Sequence, residues 1–151
     1  MALHILTKSG KIVLQLRPDA APTTVEYISK LVKDGVYDGK TFYRSDFVIQ
    51  CGLHPLKCPV PNLPVNETSS GVFLSNTRGT AAIAHWDVPD CGNSEFFINL
   101  QTNSHLDSAY GGYCVFAVVD PNDGESNATM DKIADEVKKS KMVTIESMKL
   151  L

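Results

Sequence analysis

The sequence predicts a mainly β fold: a closed eight-stranded antiparallel β-barrel whose open ends are capped by two helices. Three observations carry that expectation. Short runs of apolar residues, many alternating with polar ones, recur along the chain between turn-forming residues. Helical periodicity is confined to two stretches that lie far apart. Strands and helices are therefore not regularly interleaved, which argues against a doubly wound parallel sheet.

Taken in order, Leu3 to Thr7 and Lys11 to Leu16 read as strands joined by a tight turn at Ser9-Gly10, with Ile12, Leu14 and Leu16 on one face. Pro22 opens the first helix, where its missing N–H costs nothing, and makes Ala21 the cap. Thr23 and Glu26 have the spacing of a capping box. Val25, Ile28, Leu31 and Val32 form its apolar stripe, and Gly35 ends it. Residues 41–50 are expected as two short strands around Ser45-Asp46. Residues 53–70 are proline-rich and aperiodic, a long surface connection of the kind that is usually functional or mobile. Thr80 to Ala84 and Phe96 to Leu100 follow as strands, separated by a loop over Trp86 to Asn93. Tyr113 to Val119 is another strand. Met130, Ile133, Ala134 and Val137 mark the second helix, capped by Asn127 or Thr129. Val143 to Leu150 closes the chain as a last strand.

A length of 151 residues fits one domain, with enough chain for a sizeable core. The apolar fraction of 43% and charged fraction of 21% are those of an ordinary soluble globule. A net charge of −3, with both signs interspersed, offers no basic stripe, so nucleic acid is not an expected partner. No apolar run approaches the roughly 18 residues of a membrane span. The start, MALHILTKSG, lacks the features of a signal peptide. A cytoplasmic monomer without membrane partners is expected. Cys51, Cys58, Cys91 and Cys114 are expected as free thiols. Cys51, His54 and Cys58 form a C-x2-H-x3-C run, but it lies among Pro55, Pro59, Pro61 and Pro64 and lacks a second ligand pair. No metal and no other cofactor is expected.

Chemistry is expected around Thr41 to Gln50. Arg44, one of three arginines in the chain, stands among Phe42, Phe47, Val48 and Ile49. A guanidinium in an apolar strand has to be paired, kept wet or used; the bland alternative is an Arg snorkelling to water over its packed stem. Ser94 to Leu106 reads as a partner stretch, offering Phe97 and Leu106 as apolar wall and Glu95 and His105 as polar groups.

These motifs resemble the cyclophilin-type peptidyl-prolyl cis-trans isomerases. Phe42-Tyr43-Arg44 is similar to the family's F-H-R, and Phe47-Val48-Ile49-Gln50 to its F-M-x-Q. Asn76-Thr77-Arg78-Gly79-Thr80 with Ala82-Ile83-Ala84 resembles N-T-R-G-T-x-x-M-A. Ser94 to Asn99 resembles S-Q-F-F-I-N, and His105-Leu106-Asp107 the (W/F)-L-D segment. Tyr113 to Phe116 completes the set, in register from about Ile5 to Leu150.

The resemblance implies an eight-stranded antiparallel barrel with a helix at each end, and catalysed rotation about X-Pro bonds in folding chains. Its partners would be proline-containing polypeptides. By the same resemblance, Phe47, Val48, Phe97 and Leu106 form a cup for the proline ring. Arg44 is the hydrogen-bond donor, and Gln50 holds its fork. The backbone at His85 binds the substrate's extended chain, with Ala84 and Tyr113 as further walls.

The chain departs from the pattern in four places. Only Ser45 and Asp46 separate Arg44 from Phe47, where the family usually has four residues; an even deletion keeps each side chain on its sheet face. Val48 is smaller than the usual Met. His105 replaces an aromatic Trp or Phe, which implies reduced affinity for cyclosporin. Glu95 stands in place of Gln and is expected to damp activity: near Arg44 the ion pair would compete with the donor, and in apolar surroundings its pKa would rise; an exposed Glu leaning into solvent is the alternative. These departures leave open a second reading, a proline-peptide-binding interaction module with weak turnover or none.

Overall fold

Side-chain alternation builds the first hairpin. Strands β1 (Ala2–Thr7) and β2 (Gly10–Leu16) pair antiparallel, and Leu3, Ile5, Ile12 and Leu14 are wholly buried between them and the rest of the wall. The structure, a computed structural model, describes residues 1–53, 61–63, 65–68, 71–85 and 92–151. The remaining strands are β3 (Thr41–Ser45), β4 (Val48–Gly52), β5 (Thr80–Ile83), β6 (Phe96–Asn99), β7 (Val115–Val118) and β8 (Val143–Leu150). They close into an antiparallel barrel in the order β1-β2-β7-β5-β6-β4-β3-β8, as expected. Closure leaves no unpaired sheet edge.

Helix α1 (Pro22–Lys33) sends Ile28, Leu31 and Val32 into the main core, and α2 (Gly124–Lys138) sends Met130, Ile133 and Ala134. They join Phe42, Ile49, Cys51, Phe96, Ile98 and Phe116 from the wall. Each large apolar side chain so buried is worth about 1.5–3 kcal/mol, so this core dominates stability.

The helix starts differ from expectation. Pro22 is indeed at the first turn of α1 with Ala21 as cap residue, but no side chain within the helix caps it. Glu67 does so instead, accepting from the Thr23 N–H at 3.1 Å, the Thr24 N–H at 2.6 Å and the Thr24 hydroxyl at 2.7 Å. At α2 neither Asn127 nor Thr129 is the cap. Asp123 takes that place, accepting from the Ser126 N–H at 3.0 Å and its hydroxyl at 2.6 Å. Its carboxylate reaches the free N–H groups of the first turn, so the helix begins earlier than the apolar stripe suggests. Two short 3₁₀ turns, Ser104–Asp107 and Ala109–Gly111, were not expected and fill the link from β6 to β7.

Cys51 and Cys114 are free and buried. Burial pushes both thiols up, with Glu95 adding to the effect on Cys51; Cys114 rises to about 11, with Glu67 adding. His54, Cys58, Cys91 and Trp86 lie outside the described residues, as do most of the C-x2-H-x3-C run and of the expected 86–93 loop. No described helix is long and apolar enough to cross a membrane.

Glu67 is 4% exposed and carries the cap of α1 alone among the described side chains. Glu67→Ala should lower the unfolding free energy by about 2 kcal/mol in a urea titration, with an unchanged slope.

Candidate active site on the outer wall of the barrel

One rung of paired residues runs across five strands. Arg44 on β3 faces Gln50 on β4, Gln50 faces Phe97 on β6, Phe97 faces Ala82 on β5, and Ala82 faces Val115 on β7. Ile49, Cys51, Phe96 and Ile98 alternate with these residues and point into the main core. The rung therefore lies on the outer surface of the wall. There Val48, Ala82, Phe97, Leu106 and Val115 form a second apolar cluster, with Phe47, Leu74, Ala84 and Tyr113 packed around it.

Arg44 sits at the edge of that cluster, its guanidinium carbon 5.5 Å from the centre of the Phe47 ring. Its Nη1 donates to Gln50 Oε1 at 2.9 Å, and its Nε donates to Asp46 Oδ2 at 3.0 Å. The short bend explains the second contact. Asp46 Oδ1 accepts the Val48 N–H at 3.1 Å, which turns the other oxygen toward Arg44. Arg44 and Asp46 are 42% and 43% exposed, so the ion pair contributes only about 0–1 kcal/mol. Asp46 restrains the guanidinium more than it quenches it. Five N–H donors are more than these contacts use.

Glu95 does not pair with Arg44. Its Oε1 accepts from the Tyr43 hydroxyl at 2.7 Å, and its Oε2 from the Leu53 N–H at 2.8 Å and the Ser94 hydroxyl at 2.7 Å. Tyr43 in turn accepts from Gln50 Nε2 at 2.9 Å. Strict alternation would put Tyr43 and Arg44 on opposite faces. A β-bulge between Phe42 and Arg44 gives both access to Gln50. Burial, then the bond to Glu95, holds the Tyr43 phenol well above its usual range.

Rings line the other side. The Phe47 and His105 rings meet edge to face at 5.4 Å, and those of Phe97 and Tyr113 at 5.7 Å. His85 stacks on Tyr113 at 4.1 Å, with Nε2 donating to the Gly112 carbonyl at 2.7 Å. Beneath the rings lies a buried amide network. Asn103 Nδ2 donates to the Phe47 carbonyl at 3.1 Å and to Asn99 Oδ1 at 2.9 Å, and Asn99 Nδ2 donates to Asn76 Oδ1 at 3.0 Å. Asn76 donates to Asp107, which also accepts from Ser75 and closes the 3₁₀ turn carrying His105 and Leu106.

The sequence matches the family described as cyclophilin type peptidyl-prolyl cis-trans isomerase/CLD over residues 2–150. The chain belongs to the cyclophilin family. It is 39% identical over 123 residues to peptidyl-prolyl cis-trans isomerase B of Escherichia coli, covering 75% of this chain and 74% of that protein. It is 37% identical over 124 residues to the Acinetobacter baylyi peptidyl-prolyl cis-trans isomerase, covering 78% and 65%. Among solved structures, a Cryptosporidium parvum cyclophilin shares the fold at a TM-score of 0.78 and 18% identity, covering 100% of this chain and 99% of that one. A cyclophilin from Hirschia baltica does so at 0.73 and 17%, covering 98% and 73%.

In this cyclophilin chain the candidate residues converge. Arg44, Phe47, Val48, Gln50, Ala84, Phe97, His105, Leu106 and Tyr113 share one face, and Glu95 reaches it through Tyr43. His85 stands at the margin, its carbonyl accepting from the Tyr113 hydroxyl at 3.4 Å. The sequence reading missed Tyr43, Asp46, Leu74 and the asparagine network. Asp46 was legible as a carboxylate two residues from Arg44; the asparagines are brought together only by the fold. Asn103→Ala takes the Asn103 donor from Asn99 Oδ1 in a buried site and should cost about 2 kcal/mol in thermal or chemical unfolding.

Proposed function

We propose that this protein is a peptidyl-prolyl cis-trans isomerase, a single domain acting on X-Pro bonds of folding chains in the cytoplasm. The observation that carries the reading is the Arg44 guanidinium, tethered by Gln50 and Asp46 at the rim of the Phe47, Val48, Phe97 and Leu106 cluster. The Cryptosporidium relative was crystallised in the presence of the dipeptide Ala-Pro. A proline-containing peptide is the natural ligand to assign here too.

The barrier to rotation is roughly 18–20 kcal/mol and comes from resonance between the amide nitrogen and its carbonyl. No nucleophile, metal or proton transfer is needed to lower it. In the twisted amide the nitrogen regains a lone pair that the planar amide lacks. A fixed donor aimed at that nitrogen stabilises the transition state and not the ground state. In this reading Phe47, Val48, Phe97 and Leu106 receive the proline ring, Arg44 donates, and Gln50 holds Arg44. Ala84 and Tyr113 flank the cup, the His85 backbone takes the extended chain, and His105 borders the rim. A reduction of about 6 kcal/mol would give on the order of ten-thousandfold acceleration.

A proline-peptide-binding module without turnover is the second reading. It is favoured by the closely covered floor, where Val48 and Phe97 are 1% and 3% exposed.

Exchange spectroscopy by NMR on a small proline peptide separates the two. Turnover is expected, and Arg44→Ala should cut kcat/KM on the order of a hundredfold. Binding that persists while exchange ignores Arg44→Ala would establish the second reading instead. Calorimetry with cyclosporin should find weak binding, because His105 stands where the family has a larger aromatic ring; a tight complex would contradict this.

A further inference from the structure

Resting on the isomerase reading, we propose that Glu95 and Tyr43 are positioning residues for Arg44, fixing which way round the Gln50 amide sits. A carboxylate only accepts, so the Tyr43 hydroxyl turns its single proton to Glu95 Oε1 at 2.7 Å. The Tyr43 oxygen is then left as an acceptor, and Gln50 turns its Nε2 donor to it at 2.9 Å. With its nitrogen so committed, Gln50 presents Oε1 to Arg44 Nη1 at 2.9 Å. An acceptor-only carboxylate at one end and a donor-only guanidinium at the other thus agree on the direction of all three bonds, and the carboxylate reinforces the carbonyl oxygen that Gln50 gives to Arg44.

An amide at position 95 would lose that direction. Its NH₂ could donate to Tyr43 and the hydroxyl could turn its proton to Gln50, drawing the Gln50 amide toward a flipped orientation that Arg44 opposes. A flipped Gln50 sets NH₂ against guanidinium, donor against donor. Glu95 therefore supports the donor, the opposite of the damping expected from the sequence.

The anchor is built into the fold. The Leu53 N–H and the Ser94 hydroxyl hold Glu95 Oε2. Gly52, at φ +152°, leaves the space that the carboxylate occupies, and a side chain there would collide with it. The bulge at Tyr43 brings the hydroxyl to the same side as Arg44. Burial and the Glu95 bond keep the phenol protonated, so it remains a donor through the working pH range.

The test uses the full chain, Tyr43→Phe, Glu95→Gln and the double variant. It reads prolyl-peptide exchange kinetics and the Gln50 side-chain amide signals by NMR. Each single substitution should lower kcat about fivefold with KM little changed, and should shift the Gln50 amide signals. The double variant should be no slower than Tyr43→Phe alone, because among the described residues the Tyr43 hydroxyl is what joins Glu95 to Gln50. Tyr43→Phe leaves the Leu53 and Ser94 bonds intact and serves if Glu95→Gln does not fold. Additive losses, or Gln50 signals that ignore Tyr43→Phe, would overturn the proposal. Failure of the isomerase reading is distinguishable: turnover would not depend on Arg44, while Gln50 signals that still answered Tyr43→Phe would uphold the positioning itself.

Discussion

Side-chain alternation in a closed wall is the constraint on which the rest depends. Neighbouring residues of a strand must face opposite ways, so β4 and β6 serve two environments at once. Ile49, Cys51, Phe96 and Ile98 complete the inner core, while Val48, Gln50 and Phe97 stand outside it. The working surface thus has the main core directly behind it. A guanidinium meant to meet one atom of a substrate benefits from such backing, because the strands beneath it have little room to shift.

The surface is also held from its flanks. The asparagines beneath the rings link β6 and the segment before β5 to the 3₁₀ turn that carries His105 and Leu106. Every polar atom in such a network has to find a partner, so it sets loop position more sharply than apolar packing would. Among the described residues no buried side-chain nitrogen or oxygen is left without one.

The fold was legible because alternation survives in strands such as β2, helical periodicity survives in both helices, and the positions of turns followed from glycine, proline and aspartate. Arg44, Gln50, Phe47 and Phe97 were legible as ordered motifs. What escaped depended on contacts that the linear pattern does not encode. Tyr43 was hidden by a bulge that breaks the two-residue period. The cap of α1 was hidden because its carboxylate comes from residue 67, outside any helical spacing rule. Asp46 was legible as a carboxylate near Arg44, but its second bond, to the Val48 N–H, depends on the geometry of the shortened bend. Glu95 was legible as a departure, but its partners were not, since one sequence does not say whether a carboxylate will choose a nearby hydroxyl or a nearby cation.

The borrowed cap on α1 has a consequence for how the chain assembles. A helix of 12 residues has little stability by itself in water. Here its first turn is completed by a residue some distance downstream, across β3, β4 and the proline-rich connection. While the chain is being synthesised, α1 emerges before the group that finishes it. Its ordering is thereby tied to closure of a loop spanning a good part of the barrel, and that connection becomes a participant in folding rather than a mere link between strands.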